Sequence, residues 1–134
     1  MYTVTKESYF CYGHRLMNYE GACRHLHGHN GKIEVELQRE KLDARGMVVD
    51  FTDIRSVIKD WIDGTLDHTM LLRKDDPLVS VFKEKGERFY VMNENPTAES
   101  IAKLIYDYAR SKNLPVTRVT LWETESSFAT YTGM

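Results

Sequence analysis

The stretch Ile33-Glu34-Val35-Glu36-Leu37-Gln38 alternates apolar and polar residues without a break. Successive side chains of a strand point to opposite faces, so this pattern predicts a β-strand with one buried and one solvated face. Working back, Tyr2 to Leu16 is rich in aromatic and β-branched residues and predicts the neighbouring strand. Working forward, Gly46-Met47-Val48-Val49-Asp50-Phe51 leads into Ile54, Val57, Ile58, Trp61 and Ile62. Their i, i+3, i+4, i+7, i+8 spacing predicts an amphipathic helix, capped by Asp50 or Thr52 and with Gly64 in its C-terminal turn. Asp76-Pro77 carries the start signal of a short second helix, and Asn95-Pro96-Thr97 repeats it ahead of Ile101, Leu104, Ile105 and Tyr108. That last helix stops before Leu114-Pro115. Val119 and Leu121 then alternate with Thr120 and Trp122, which puts Glu123 on the apolar parity of a strand, and Phe128 to Tyr131 predicts a short final strand. Strands, then helices, then strands, with no repeat or linker, predict one α+β domain over 1–134 with helices packed on an antiparallel sheet.

A chain of 134 residues is long enough to bury roughly two thirds of the surface its unfolded form exposes, so it needs neither metal nor disulfide merely to fold. Its 18 basic and 20 acidic residues leave a net charge of −2, and no Lys/Arg run supplies the footprint of a nucleic-acid binder. Two cysteines, Cys11 and Cys23, are too few for a disulfide-stapled scaffold and read as reduced thiols. The start of the chain lacks a basic lead-in and an apolar signal core, and no apolar run approaches the ~20 residues of a membrane span. A cytoplasmic protein with no membrane partner is expected.

Four of the five histidines fall between Tyr12 and Asn30, in His14-Arg15-Leu16 and in Cys23-Arg24-His25-Leu26-His27-Gly28-His29. On a strand His27 and His29 share a face, so both imidazoles can reach one metal, while Gly28 admits a close approach from the other side. His14, from the neighbouring strand, can supply the third ligand; His25 has the same parity as His27 and His29 and is its rival. Three neutral imidazoles with a fourth position open are what a catalytic Zn²⁺ needs to hold water or substrate. Two other readings use the same residues: surface histidines without a metal, and a closed structural zinc site of Cys11, His14, Cys23 and His27. The second leaves His29 unexplained, and the open site is favoured.

Cys23, if it is not a ligand, is a candidate base, because thiols beside a metal or an imidazolium ionise more readily; Cys11 reads as a small apolar side chain. Asp67-His68 could form a relay in which the carboxylate orients the imidazole, although such a pair at a helix end is more often solvated. Glu123 is either a surface residue just past its strand or a carboxylate able to accept two N–H groups from one edge of a heterocycle.

Together these segments resemble the 6-pyruvoyltetrahydropterin synthase family, and especially its bacterial 6-carboxytetrahydropterin synthases of the queuosine pathway. The pieces are His14-Arg15-Leu16, Cys23-x-x-x-His27-Gly28-His29-Asn30, Gly46 to Phe51, Leu66-Asp67-His68, Asn95-Pro96-Thr97-Ala98-Glu99 and Trp122-Glu123-Thr124. The resemblance implies a tunnelling fold: a four-stranded antiparallel sheet with helices on one face, closing into trimeric barrels that stack as hexamers with active sites between subunits. It further implies Zn²⁺ on His14, His27 and His29, Cys23 as general base, Asp67 and His68 as the rest of the proton-transfer group, and Glu123, Thr97 and Glu99 around the pterin. The implied substrate is 7,8-dihydroneopterin triphosphate. Loss of triphosphate and acetaldehyde would leave 6-carboxytetrahydropterin; loss of triphosphate alone would leave the pyruvoyl product. Cys11-Tyr12-Gly13 departs from the small residues usual before the first ligand, and Leu71 to Met92 carries no family motif.

Overall fold

A computed structural model describes residues 1–134. Two long strands, β1 (Tyr2–His14) and β2 (His27–Arg39), pair antiparallel along their whole length, from Tyr2 opposite Arg39 to His14 opposite His27. The alternation of Ile33, Val35 and Leu37 is realised as expected, each 2% exposed or less. On the far side of β2, β5 (Val116–Trp122) pairs antiparallel with a shift of register between Glu36 and Leu37, and β6 (Phe128–Tyr131) completes that edge.

The expected four-stranded antiparallel sheet is corrected at the other edge. β3 (Thr69–Arg73) joins β1 in parallel, and β4 (Phe89–Met92) joins β3 in parallel, giving a six-stranded mixed sheet of order β4-β3-β1-β2-β5-β6. Both segments are short, unbroken apolar runs, Met70-Leu71-Leu72 and Phe89-Tyr90-Val91-Met92, with no alternation for a periodicity argument to find.

Helix α1 covers residues 51–65 as Phe51–Ile54, a π-helical stretch Arg55–Lys59 and Asp60–Thr65. Asp50 caps it, its carboxylate accepting from Thr52 N at 2.8 Å. Helix α3 (Ala98–Ser111) is capped by Thr97, whose hydroxyl accepts from Ser100 N at 3.1 Å. Ile54, Ile58 and Ile62 of α1 and Ile101, Ala102, Ile105 and Ala109 of α3 pack with Phe10, Tyr12, Ile33, Val35, Leu37, Val119 and Leu121 in one core on one face of the sheet. Trp61 stacks on Tyr108 between the two helices, ring centroids 4.0 Å apart.

The third helix departs from the one-face expectation. α2 (Leu78–Lys85) crosses between β3 and β4 on the opposite face, where Phe82 lines a hollow with Gly13, Gly28 and Met70. Leu72, fully buried yet outside the main core, belongs to that side. Asp76 fixes this unit to the end of β1: its carboxylate takes a bidentate ion pair from Arg15, Nε to Oδ2 at 2.7 Å, and caps α2 by accepting from Leu78 N at 2.8 Å.

Candidate metal centre and pocket

β1 and β2 end where the chemistry begins. His14 closes β1 and His27 opens β2 directly opposite it, while His29 sits across from Tyr12 on the same face. The three rings lie with centroids 4.5 to 5.1 Å apart, and one nitrogen from each falls within 4.8 Å of the others. Gly28 between the ligands admits a close approach of the backbone: a Cβ there would stand 3.0 Å from the Tyr12 carbonyl oxygen, tighter than side chains ordinarily pack.

Two of the rings are fixed by backbone carbonyls. His14 Nδ1 is 2.6 Å from Pro96 O, and His27 Nδ1 is 2.8 Å from His25 O. A carbonyl only accepts, so each Nδ1 carries the proton and each Nε2 presents its lone pair to the cluster. Burial pushes the His14 pKa down to about 4, against the pull of the Pro96 carbonyl and helped by His27 and His29, which keeps this ring neutral at ordinary pH. All three Nε2 atoms are buried without a hydrogen-bond partner. A metal ion fits this donor set, because it supplies the partner that three convergent, buried nitrogens lack. His25 is excluded from it: exposed, it follows the short helical turn Ala22–Arg24 and serves the cluster only through its backbone oxygen. The cysteines are outside it as well, which argues against the closed zinc site.

Beside the cluster opens a cavity of about 560 Å³, lined by His14, Leu16, Cys23, Thr97, Glu99 and Glu123 among others. Leu16 N donates to Cys23 O at 2.8 Å, tying the Cys23 turn to the end of β1. Asn95 holds the same loop from the other side, accepting from Met17 N at 2.8 Å and donating to Met17 O at 2.9 Å. Thr97 and Glu99 reach the cavity because the α3 start signal places the first turn of that helix over it. Glu123, just past β5, brings Oε2 to 3.6 Å from His29 Nε2. The sequence reading overlooked Asn95 and the Pro96 carbonyl; no side-chain pattern signals a backbone oxygen, and Asn95 stood out only as part of a helix-start motif.

Asp67 and His68 are brought together but lie elsewhere. His68 Nδ1 is 2.7 Å from Asp67 Oδ2, and Asp67 Oδ1 accepts from Cys11 N at 2.9 Å. Burial works to raise the Asp67 pKa, but the Cys11 N–H, His68 and Lys59 outweigh it and hold the carboxylate below its ordinary range. His68 adopts φ +53°, a left-handed conformation that residues other than glycine enter at a cost, and its side chain is 73% exposed. It lines the hollow under α2 with Cys11, Gly13 and Met70, not the cavity that holds Cys23.

The sequence profile described as 6-pyruvoyl tetrahydropterin synthase matches residues 3–134. The chain is 36% identical to the 6-carboxy-5,6,7,8-tetrahydropterin synthase of Rickettsia typhi, covering 96% of this chain and 98% of that protein. It is 28% identical to the protein of the same name from Haemophilus influenzae, over 98% and 99%. Among solved structures, an uncharacterized protein from Wolinella succinogenes superposes with a TM-score of 0.82 at 31% identity, covering 99% of this chain and 98% of the other. The 6-pyruvoyl tetrahydropterin synthase of Caenorhabditis elegans does so with 0.75 at 25% identity, over 99% and 96%. Fold, motif order and near-complete coverage agree, and this chain belongs to the 6-pyruvoyl tetrahydropterin synthase family.

Proposed function

We propose that this chain is a zinc-dependent lyase that converts 7,8-dihydroneopterin triphosphate to 6-carboxytetrahydropterin with release of acetaldehyde and triphosphate. The observation that carries the reading is the convergence of three buried, unpartnered histidine nitrogens beside a cavity that also holds Cys23 and Glu123. Names borne by relatives at 28% and 36% identity favour the carboxy-forming branch.

His14, His27 and His29 would hold Zn²⁺, which when bound supplies Lewis acidity toward the substrate's side-chain oxygens. Glu123 accepts the N–H groups of the pterin edge, a charge-assisted contact that orients the ring. Thr97 and Glu99 close that end of the pocket. Cys23 takes a proton from the side-chain carbon. His68 is the partner acid and base: Asp67 fixes its Nδ1–H, leaving Nε2 free to gain or lose a proton.

The location of His68 on the other face of the sheet from Cys23 supports an active site shared between copies of the chain, as a hexamer built of two trimers would provide. No helix is long and apolar enough to cross a membrane.

Product analysis tests the whole reading. Purified, zinc-loaded protein incubated with dihydroneopterin triphosphate should release acetaldehyde together with triphosphate. Triphosphate without acetaldehyde would assign the pyruvoyl-forming branch, and no turnover would support a non-catalytic zinc module.

A further inference from the structure

The buried side-chain polar atoms left without a partner are four: Nε2 of His14, His27 and His29, and the hydroxyl of Tyr12. The first three are the metal donors. The fourth belongs to a residue only 1% exposed, so the phenol carries an uncompensated desolvation penalty.

Where that hydroxyl leads follows from the strand register. Tyr12 stands across from His29, their rings 5.6 Å apart. Two residues further along β2, Gly31 has no side chain; a Cβ there would lie 3.1 Å from Tyr12 Cε1 and 3.1 Å from Leu121 Cδ1. The Tyr12 ring therefore crosses β2 over Gly31 and meets β5. Lys32 pairs with Trp122, and one step further that register sets Gly31 opposite Glu123. A neutral phenol is a hydrogen-bond donor, and Glu123 is the carboxylate that this register sets on its line across β2. Glu123 itself has His29 Nε2 at 3.6 Å as its neighbour, and a ring nitrogen that ligates a metal has no proton to offer a carboxylate.

We propose that Tyr12 is a positioning residue for Glu123: its hydroxyl donates to the carboxylate once His29 is committed to the metal, and so aims Glu123 into the cavity. Each carboxylate oxygen still has a lone pair for an N–H of the ligand. This rests on the reading of Glu123 as the group that holds the pterin.

The test is a double-mutant cycle on the zinc-loaded protein, with 7,8-dihydroneopterin binding followed by fluorescence in wild type, Tyr12→Phe, Glu123→Gln and the double variant. Thermal midpoints of the same chains are taken without metal or pterin. Tyr12→Phe should weaken binding about 10-fold with zinc content unchanged, and should add less than about 2-fold in the Glu123→Gln background, where the charged acceptor is gone. Its midpoint without metal or pterin should not fall, since the hydroxyl has no partner to lose. Wild-type affinity in Tyr12→Phe, an equal loss in both backgrounds, or a lowered midpoint each overturns the proposal while leaving Glu123 in its role. Wild-type affinity in Glu123→Gln removes the reading on which it stands.

Discussion

The antiparallel part of the sheet and the parallel part solve different problems. β1, β2 and β5 bring His14, His27, His29 and Glu123 to one face through pairings that run the length of two long strands. β3, α2 and β4 put nothing into that cavity; they bury Leu72 on the opposite face, with Asp67 and His68 just before β3 and bonded to β1 at Cys11. Cys11 and Tyr12 are neighbours in sequence, yet one faces the His68 hollow and the other the metal cluster. A single strand thus flanks two groups of residues on opposite faces of the sheet, the two halves of the proposed site.

Cys23→Ser should break the first half alone. A serine hydroxyl is too weakly acidic to act as a thiolate would, so turnover should fall by about 10² to 10⁴ while the fold and the other half stay intact. Retention of full activity in steady-state assays would remove Cys23 from the chemistry.

Joining the halves between copies gives the next largest effect. Cys23→Ser and His68→Ala chains, each inactive alone, should recover roughly a quarter of wild-type turnover when co-assembled in equal amounts, the statistical share of sites holding both intact groups. No recovery in a mixture shown to exchange subunits would place both groups within one chain.

Asp76→Asn loosens the joint between the two parts without entering either half-site. Burial acts to raise the Asp76 pKa, but Arg15 and the Leu78 N–H prevail and hold it below the ordinary carboxylate range. A lowered folded-state pKa means stability present above about pH 4 and lost as the pH falls further. The variant should be less stable by about 2 kcal/mol at pH 7, with the difference shrinking below about pH 4. Urea midpoints measured across that range check both the size and the sign.

The same contrast explains how far the sequence could be read. β1, β2, β5 and the helices α1 and α3 carry their residue patterns in longer stretches, and His27 and His29 share a face as strand alternation requires. β3 and β4 owe their pairing to partners distant in sequence, so their short apolar runs gave no sign of direction or neighbour. Gly64 lies in the last turn of α1, where it was expected, but the π-helical stretch at Arg55–Lys59 had no residue signal. At the site, His14 could be separated from His25 only by the turn at Ala22–Arg24, which points His25 away. Tyr12 was visible merely as a bulky residue where small ones were expected; its orphaned hydroxyl is a property of packing over Gly31.

Metal bound per chain, measured on wild type, His29→Ala, His25→Ala and Cys23→Ser after equilibration with Zn²⁺, bears most directly on the three-histidine centre. One zinc per chain in wild type, His25→Ala and Cys23→Ser, with strong loss in His29→Ala, is the expected result. Loss of zinc from Cys23→Ser together with its retention in His29→Ala would contradict it and point to the cysteine-ligated structural site instead.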